Sequence, residues 1–478
     1  MMHSPHRTHF LKALITCVGE AHLLTDEAAK PFTQDERNRY HHPALAVVFP
    51  KTTEQVARIV QLCANHQPPI AIIPQGGNTG LVGGCAVLTH RDSILLNLSR
   101  MQQVLDIDRD NRTMTLQAGV TLEQAQQTAE AHQLLFPLTL ASQNAATIGG
   151  NLATNAGGTQ VLRYGNMRDL CLGLEVVLPT GEVWQGLNRL RKNNTGYDLK
   201  HLFIGAEGTL GIITAAVLKL FPAPQQTQVA MLAAPSVAGI ARSFDVLQRQ
   251  FDAQLTAFEY ISPSASQLVC AQFNWPPLFS NHNAHVALIE LSHAQPDASL
   301  NEQLQNQLSQ LIDNQTLDDV LMAQNLNQAN NFWRMREHIS AAQKRTGPNI
   351  KHDISVPISA IVPFIEQTTL TLEQAYSGIQ PIVFGHMGDG NLHFNISCGR
   401  AFATSEQLMA RERDINNMVY EKVTQFGGSI SAEHGIGLLK RDLMPSIKSA
   451  VELNMMRQLK NTFDPLNIMN PEKIITHN

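Results

Sequence analysis

A chain of 478 residues, 43% hydrophobic and 16% charged, has the balance of a globular protein of two or three domains rather than a disordered one. Its formal charge of −5 argues against nucleic acid as the main partner, and no apolar run approaches the length that spans a bilayer. Six scattered cysteines (Cys17, Cys63, Cys85, Cys171, Cys270 and Cys398) form no CxxC, so the chain reads as one kept in a reducing, cytoplasmic compartment without a disulfide framework.

The N-terminal MMHSPHRTHFLKALITCVGEAHLL has a short apolar patch but no convincing cleavage site, and predicts a first helix rather than a signal peptide. Next, VVFPKTTEQVARIVQLCANHQPPIAIIPQGGNTG alternates strand and helix: Thr52 or Thr53 caps a helix to about Asn65, and PIAII ends in a glycine-rich turn, a βαβ-like reading. Short strands follow at SILLNL, TMTLQAG, LGLEVVLPTGEVW and GIITAAVLKLF. Pro222 and Pro224 mark a composition shift. Beyond them, strands (TQVAMLAA, HVALIEL, PIVFGH) mix with long helical patterns (SLNEQLQNQLSQLI, EQLMARERDINNMVYEKVTQF), which predicts helices packed on one face of an antiparallel sheet. The last stretch is short and helical, cannot make its own core, and is expected to pack back onto the first domain. The expected domains are therefore 1–222, 223–430 and 431–478.

Within the second region, FGHMGDGNLHFNI (384–396) sets two histidines around an Asp-Gly pair. With Asp389-Gly390 at the centre of a type I′ turn, Gly388 faces Asn391, Met387 faces Leu392 and His386 faces His393. Opposed Cβ atoms lie about 4.5–5.5 Å apart, close enough for two imidazoles to share one ion. Asn395 points to the same face as His393. Taken alone, the stretch reads equally as a metal site and as two ordinary histidines on a solvated hairpin.

Three glycine clusters punctuate the first region: PQGGNTGLVGG (74–84), ATIGGNLATNAGG (146–158) and GAEGTLG (205–211). Glycine lets a backbone approach a ligand closely, and successive free N–H groups in such turns form anion-binding nests. Any one cluster is ordinarily a tight turn. Together, with Asn78, Thr79, Asn151 and Asn155 interleaved, they look like a cradle for a pyrophosphate and a flat ring. None is a Walker loop or a spaced GxGxxG after a strand, so a nicotinamide Rossmann fold is disfavoured.

In family order, these clusters together with NNTGYDLKHLFIGAEGTLGIIT, FGHMGDGNLHFNI, SAEHGIG and FDPLNIMNPEKI resemble FAD-linked oxidoreductases of the vanillyl-alcohol oxidase type. Within them the chain is similar to the D-2-hydroxyglutarate and D-lactate dehydrogenase branch, over nearly its whole length. The resemblance implies an α+β fold: a two-part FAD-binding domain, an α+β, ferredoxin-like cap domain, and a C-terminal helical segment returning to the FAD domain. It implies that Pro74, Gln75, Gly76, Gly77, Asn78, Thr79, Gly80 and Leu81 wrap the FAD pyrophosphate. Ser142, Thr147, Gly150, Asn151, Asn155, Ala156 and Gly157 would line the isoalloxazine and diphosphate, with Gly158, Tyr164 and Gly165 continuing that wall. Glu207, Gly208 and Ile213 would lie along the adenine and ribose, and Asn470 near the flavin ring. The first loop lacks the GH pair of members that tether flavin through histidine, so the FAD is expected to be noncovalent. Glu472 stands where the family usually has glycine, which puts the local turn in doubt.

His386 and His393 need a third ligand, and SAEHGIG offers Glu433. Two imidazoles and a carboxylate make a catalytic type of divalent site, best suited to zinc, with manganese or iron next. The resemblance assigns the same three residues. His434 would be an imidazole beside the ion rather than a ligand to it, suited to proton transfer near neutrality; its plainer reading is an orienter of Glu433. In FWRMREHISAAQKRTGPNIKHDIS, Arg336 and Ser340 share one helix face and Lys351 begins the next strand. Without the family these are a solvated face. The resemblance has them grip the substrate's distal carboxylate, although the family usually carries threonine at Ser340, and has Asn395 contact the hydroxy-acid end.

The implied reaction is oxidation of a D-2-hydroxy acid to a 2-oxo acid by hydride transfer to flavin N5, with His434 taking the hydroxyl proton. D-2-hydroxyglutarate leads because two carboxylates would use both the metal and the Arg/Lys pair; D-lactate follows. The electron acceptor is an electron-transfer protein or a quinone, and the reading allows a homodimer. A flavin-binding subunit of a larger oxidase, or an oxidase reducing oxygen, are the readings from other classes.

Overall fold

Thr52, in extended backbone, accepts a hydrogen bond from Gln55 N and starts the helix Thr53–Ala64, as its sequence predicts. Buried Val56, Ile59, Val60 and Cys63 recur at helical spacing and turn one side of that helix inward. The structure, a computed structural model, describes residues 5–476 except Thr89 and Ala298. The N-terminal helix is Pro5–Val18, and the residues of that expected helix before Pro5 lie outside the described ones.

The chain divides into two units. The first comprises Met1–Ala156, Asn166–Pro222 and His434–Asn478; the second comprises Gly157–Gly165 and Ala223–Glu433. In the first unit, Ala46–Val48, Ser93–Asn97 and Ala71–Gln75 run parallel, with Leu23–Leu24 antiparallel at the edge. A separate five-stranded sheet is antiparallel throughout: Val104–Asp108, Thr113–Gln117, Ile212–Lys219, Cys171–Val177 and Val183–Gly186, in that spatial order. The C-terminal segment joins this unit by backbone bonds. Ile72 N donates to Ile468 O at 2.7 Å, and Asn470 N donates to Ile72 O at 2.8 Å. Asp464, fully buried, fixes the turn between by accepting from Ile468 N, Met469 N and the Lys460 ammonium.

The second unit is built on a seven-stranded antiparallel sheet. Its order is Asp319–Met322, Gln226–Ala234, His285–His293, Leu255–Ile261, Pro381–His386, Asn391–Ile396 and Asp353–Ser355. Helices cover both faces, not one. Phe332, Met335 and Ile339 of the helix Leu326–Arg345 pack with Met231, Ala233, Ile261 and Leu288. Phe258, of opposite parity to Ile261, stacks edge-on against Phe244 of the helix Val237–Phe251. The physical reason lies in the strands. LTAFEYI is buried at every position, so it needs cover above and below rather than on one side. The expected long helix at 406–426 is two, Ser405–Met409 and Glu412–Gln425.

The histidine hairpin forms, in a different register. Phe384, not His386, pairs with His393, and the strands end at His386 and Asn391, leaving a four-residue connection. A type I′ turn needs positive φ at both central residues, but only Gly390 has it (+86°). Asp389 instead accepts from Asn391 N through Oδ1 at 2.9 Å, and Asp389 N donates to His386 O, which stabilises the wider turn. The displacement is an even number of residues, so both histidines stay on one face.

Candidate active site

In the first unit, the turn after Ala71–Gln75 runs against the entry to the helix Ile148–Ala153. A Cβ on Gly76 would lie 2.3 Å from Thr147 Oγ1, and one on Gly77 would lie 1.8 Å from the Ala145 carbonyl oxygen, so neither site admits a side chain. Gly80 has nothing within 4 Å of its Cβ position. Thr147 caps the helix by accepting from Gly150 N. On that helix Asn151 is buried, and its Nδ2 has no hydrogen-bond partner among the described residues. Asn470 donates through Nδ2 to Gly84 O and Glu207 O, and its buried Oδ1 also lacks a partner among the described residues. Orphaned buried polar atoms on two of the expected flavin residues are what a bound cofactor with many oxygens and ring nitrogens would satisfy. The residues present fit the group.

Other residues of the expected cofactor set face inward or hold the chain. Gln75 donates to Phe32 O and accepts from Asn97, Ile213 is buried in its strand, and Gly208 packs on Pro74. Asn78 donates to Gln34 O and takes φ +53°. Asn155 Oδ1 accepts from Arg168 N, and Ala156 O accepts from Met167 N. Thr79 and Leu81 are half-buried, as is Ser142, whose carbonyl accepts from Ala145 and Ala146 N. Glu207 spends its carboxylate on the chain: its oxygens accept from Ile436 N and Gly437 N at 2.7 and 2.8 Å. That clamp fixes the turn immediately after His434. Glu472 takes φ +63°, the left-handed conformation glycine adopts freely, and its carboxylate pairs with Arg441 and His90.

Gly157, Gly158, Tyr164 and Gly165 belong to the second unit. A Cβ on Gly157 would lie 3.7 Å from Glu433 Oε1, and one on Gly388 would strike Leu162, so this stretch lies along the hairpin turn. Gly158 O accepts from Val161 N, Gly165 takes φ +77°, and the Arg163 guanidinium lies over the Tyr164 ring.

On the face of the second unit's sheet beneath the helix Leu326–Arg345, His386, His393 and Glu433 each offer one ligand atom within 4.8 Å of the other two. His386 Nε2 lies 3.4 Å from Glu433 Oε1. The cross-strand partner of His386 is Glu259, a carboxylate with no exposure at all. Glu259 Oε1 meets His386 Nδ1 at 2.5 Å, and Oε2 accepts from Arg336 Nε at 2.7 Å. Burial alone would raise the Glu259 carboxyl, but His386 and Arg336 overcome it and hold it down to about 2. For His386, burial works downward; Glu259 and Glu433 outweigh it and lift the imidazole to about 10. Burial takes His393 down to about 4, the neutral form a metal ligand requires. Asp353, buried, accepts from Glu433 N at 3.0 Å and from Asn391 Nδ2 at 3.1 Å, which seats the backbone of the third ligand. Two imidazoles, one already oriented through its far nitrogen, and a seated carboxylate fit a divalent ion.

Arg336 is 9% exposed, its guanidinium 4.8 Å above the Phe384 ring, and only its Nε is bonded among the described residues. Ser340 is exposed one turn further along the same helix, and Lys351 is partly buried just before Asp353–Ser355. Asn395 is buried, and its Oδ1 accepts from His352 N while Nδ2 donates to Gln343 Oε1. His434 follows Glu433 directly in the chain. Glu259 and Asp353 do not emerge from motif reading. The available signal was a lone charged residue in LTAFEYI, since a buried carboxylate must have partners.

Residues 44–186 match the family described as FAD binding domain, and residues 223–474 match FAD linked oxidases, C-terminal domain. The chain is 37% identical to a D-2-hydroxyglutarate dehydrogenase of Xanthomonas citri pv. viticola, covering 93% of this chain and 92% of that protein. It is 35% identical to a D-2-hydroxyglutarate dehydrogenase of Stutzerimonas stutzeri, covering 96% and 97%. In fold it is similar to p-cresol methylhydroxylase, with a TM-score of 0.77, 16% identity, and coverage of 99% of this chain and 97% of that one. Among the described residues, no helix is long and apolar enough to cross a membrane.

Proposed function

The chain belongs to the FAD-linked oxidases, and from that premise we propose that it oxidises D-2-hydroxyglutarate to 2-oxoglutarate with the help of a divalent ion, zinc by preference. The observation that carries the choice of a dicarboxylate is Arg336. It sits on the sheet face that bears His386, His393 and Glu433, and its terminal nitrogens make no hydrogen bond among the described residues. A buried fork of that kind suits a planar carboxylate. Ser340 and Lys351 complete the distal grip in this reading, and Asn395 supports the hydroxy-acid end from within its own network.

When bound, FAD supplies a hydride acceptor and the ion supplies Lewis acidity toward the substrate's hydroxyl and C1 carboxylate. His386, His393 and Glu433 would hold the ion. His434 would take the hydroxyl proton on its ring nitrogen as the alcohol carbon is oxidised. Chain adjacency to Glu433 and the Glu207 clamp on the following turn support this role for His434. The flavin is noncovalent in this reading. The acceptor in this reading is an electron-transfer protein or a quinone, and the scattered cysteines support a cytoplasmic setting.

The test is a panel of D-2-hydroxy acids with an artificial acceptor, run with and without a chelator. D-2-hydroxyglutarate should give the highest kcat/KM, and chelation should abolish turnover. A higher kcat/KM for D-lactate overturns the dicarboxylate reading, and full activity after chelation removes the metal from it.

A further inference from the structure

We propose that Glu259 is the positioning residue that sets the metal ligand His386 and the substrate-gripping Arg336 against one another, and so fixes the length of acid the enzyme accepts. The proposal rests on the reading of His386 as a ligand and Arg336 as the distal-carboxylate site. Its own footing is the geometry of one side chain. Glu259 stands in the middle of the strand Leu255–Ile261, directly across from His386 on the next strand, beneath the helix that carries Arg336. It has no solvent exposure, and each of its oxygens is spent on one of the two: Oε1 on His386 Nδ1 at 2.5 Å, Oε2 on Arg336 Nε at 2.7 Å.

That division of labour has a chemical consequence at each end. Accepting from Nδ1–H keeps that proton on Nδ1, so that the proton an ion would displace is the one on Nε2, the nitrogen that lies 3.4 Å from Glu433. Accepting from Nε–H pins the guanidinium by its inner edge and turns its two terminal nitrogens outward for a bidentate partner. Phe384, two residues before His386, places its ring under the guanidinium, 4.8 Å from centroid to Cζ, and packs against its far side. The two anchor points for a dicarboxylate are therefore held by one rigid, buried carboxylate on a central strand rather than by two independent supports.

Glu259→Gln keeps the volume and removes the symmetry. The amide can accept from only one of the two donors, while its NH2 opposes the other. Facing His386, it forces the proton onto Nε2 and blocks the ligand lone pair; facing Arg336, it repels the inner edge. Three readouts follow: zinc affinity of the apoprotein by competition with a chelating dye, FAD content, and the ratio of kcat/KM for D-2-hydroxyglutarate to that for D-lactate. Glu259→Gln should retain FAD and either weaken zinc about 10- to 100-fold or lower the substrate ratio about tenfold or more, according to which partner the amide abandons. Glu259→Asp, which keeps both acceptors on a shorter stem, should recover part of whichever is lost. An unchanged zinc affinity together with an unchanged ratio, in a variant that folds and holds FAD, overturns the proposal. If the wild-type protein prefers D-lactate, the dicarboxylate reading fails by itself. The zinc arm then decides the part of the proposal that concerns His386.

Discussion

Arg336 is held from one side and open on the other, and that asymmetry makes its contribution measurable. Arg336→Ala removes the fork toward the distal carboxylate and also leaves Glu259 with His386 alone. The second effect acts on every substrate through the metal ligand, whereas the first acts only on a dicarboxylate. A lost charge-assisted hydrogen bond is worth about 1.5–3 kcal/mol, so kcat/KM for D-2-hydroxyglutarate should fall about 10- to 150-fold more than that for D-lactate. Steady-state kinetics on both acids give the ratio directly; equal losses would mean that Arg336 serves the fold or the C1 carboxylate instead. The sequence alone makes this residue part of a solvated face and only the family resemblance gives it a carboxylate to grip; the structure buries it. Glu259 is legible in neither way, because a carboxylate inside LTAFEYI belongs to no motif and its partners lie 77 and 127 residues away. Asp353 is the same case, tied to Glu433 across 80 residues.

At the scale of elements, caps and glycine turns follow from the sequence, whereas the turn type and register of the histidine hairpin do not. The Thr52 cap and the glycine turn after Ala71–Gln75 depend on a few neighbouring residues, and they form where the sequence puts them. The hairpin register depends on whether Asp389 adopts positive φ, and a side-chain bond to Asn391 N settles it in favour of the wider turn. Cover on both faces of the large sheet was written in its continuous apolar strands, which a one-face expectation overlooks. The segment FDPLNIMNPEKI owes its conformation to one buried group. Asp464 accepts two backbone amides and the Lys460 ammonium, which itself donates to Thr209 O and Met469 O. Asp464→Ala therefore strands a buried cation and two amides, and should lower stability by about 3–5 kcal/mol. Denaturant unfolding monitored by circular dichroism checks this, with Asp464→Asn, which retains an acceptor, expected to lose less. An Asp464→Ala protein as stable as the wild type would deny the clamp its role.

For the whole molecule, what matters is how the two kinds of chemistry are distributed along the chain. His386, His393 and Glu433 all belong to the second unit, together with Glu259, Arg336 and Asp353, which support them. The orphaned Asn151 and Asn470 atoms and the glycine loops from 74 to 84 and 205 to 211 all belong to the first. Metal loading and flavin loading should accordingly be separable by mutation. His386→Ala removes one of three ligands and should abolish zinc retention and turnover, yet the purified protein should stay yellow with near-normal FAD released on denaturation. Asn151→Leu closes off the unpartnered amide without emptying its volume, and should lower FAD content while zinc binding to the apoprotein is unchanged. His434→Ala should disturb neither loading, and should slow D-2-hydroxyglutarate and D-lactate by the same factor, because removal of the 2-hydroxyl proton is common to both. Flavin absorbance, metal analysis and kinetics on one set of three variants distinguish these patterns. Loss of FAD on His386→Ala would show that the cofactor's retention depends on the metal ligands, and the assignment of separate loading to the two units would fall.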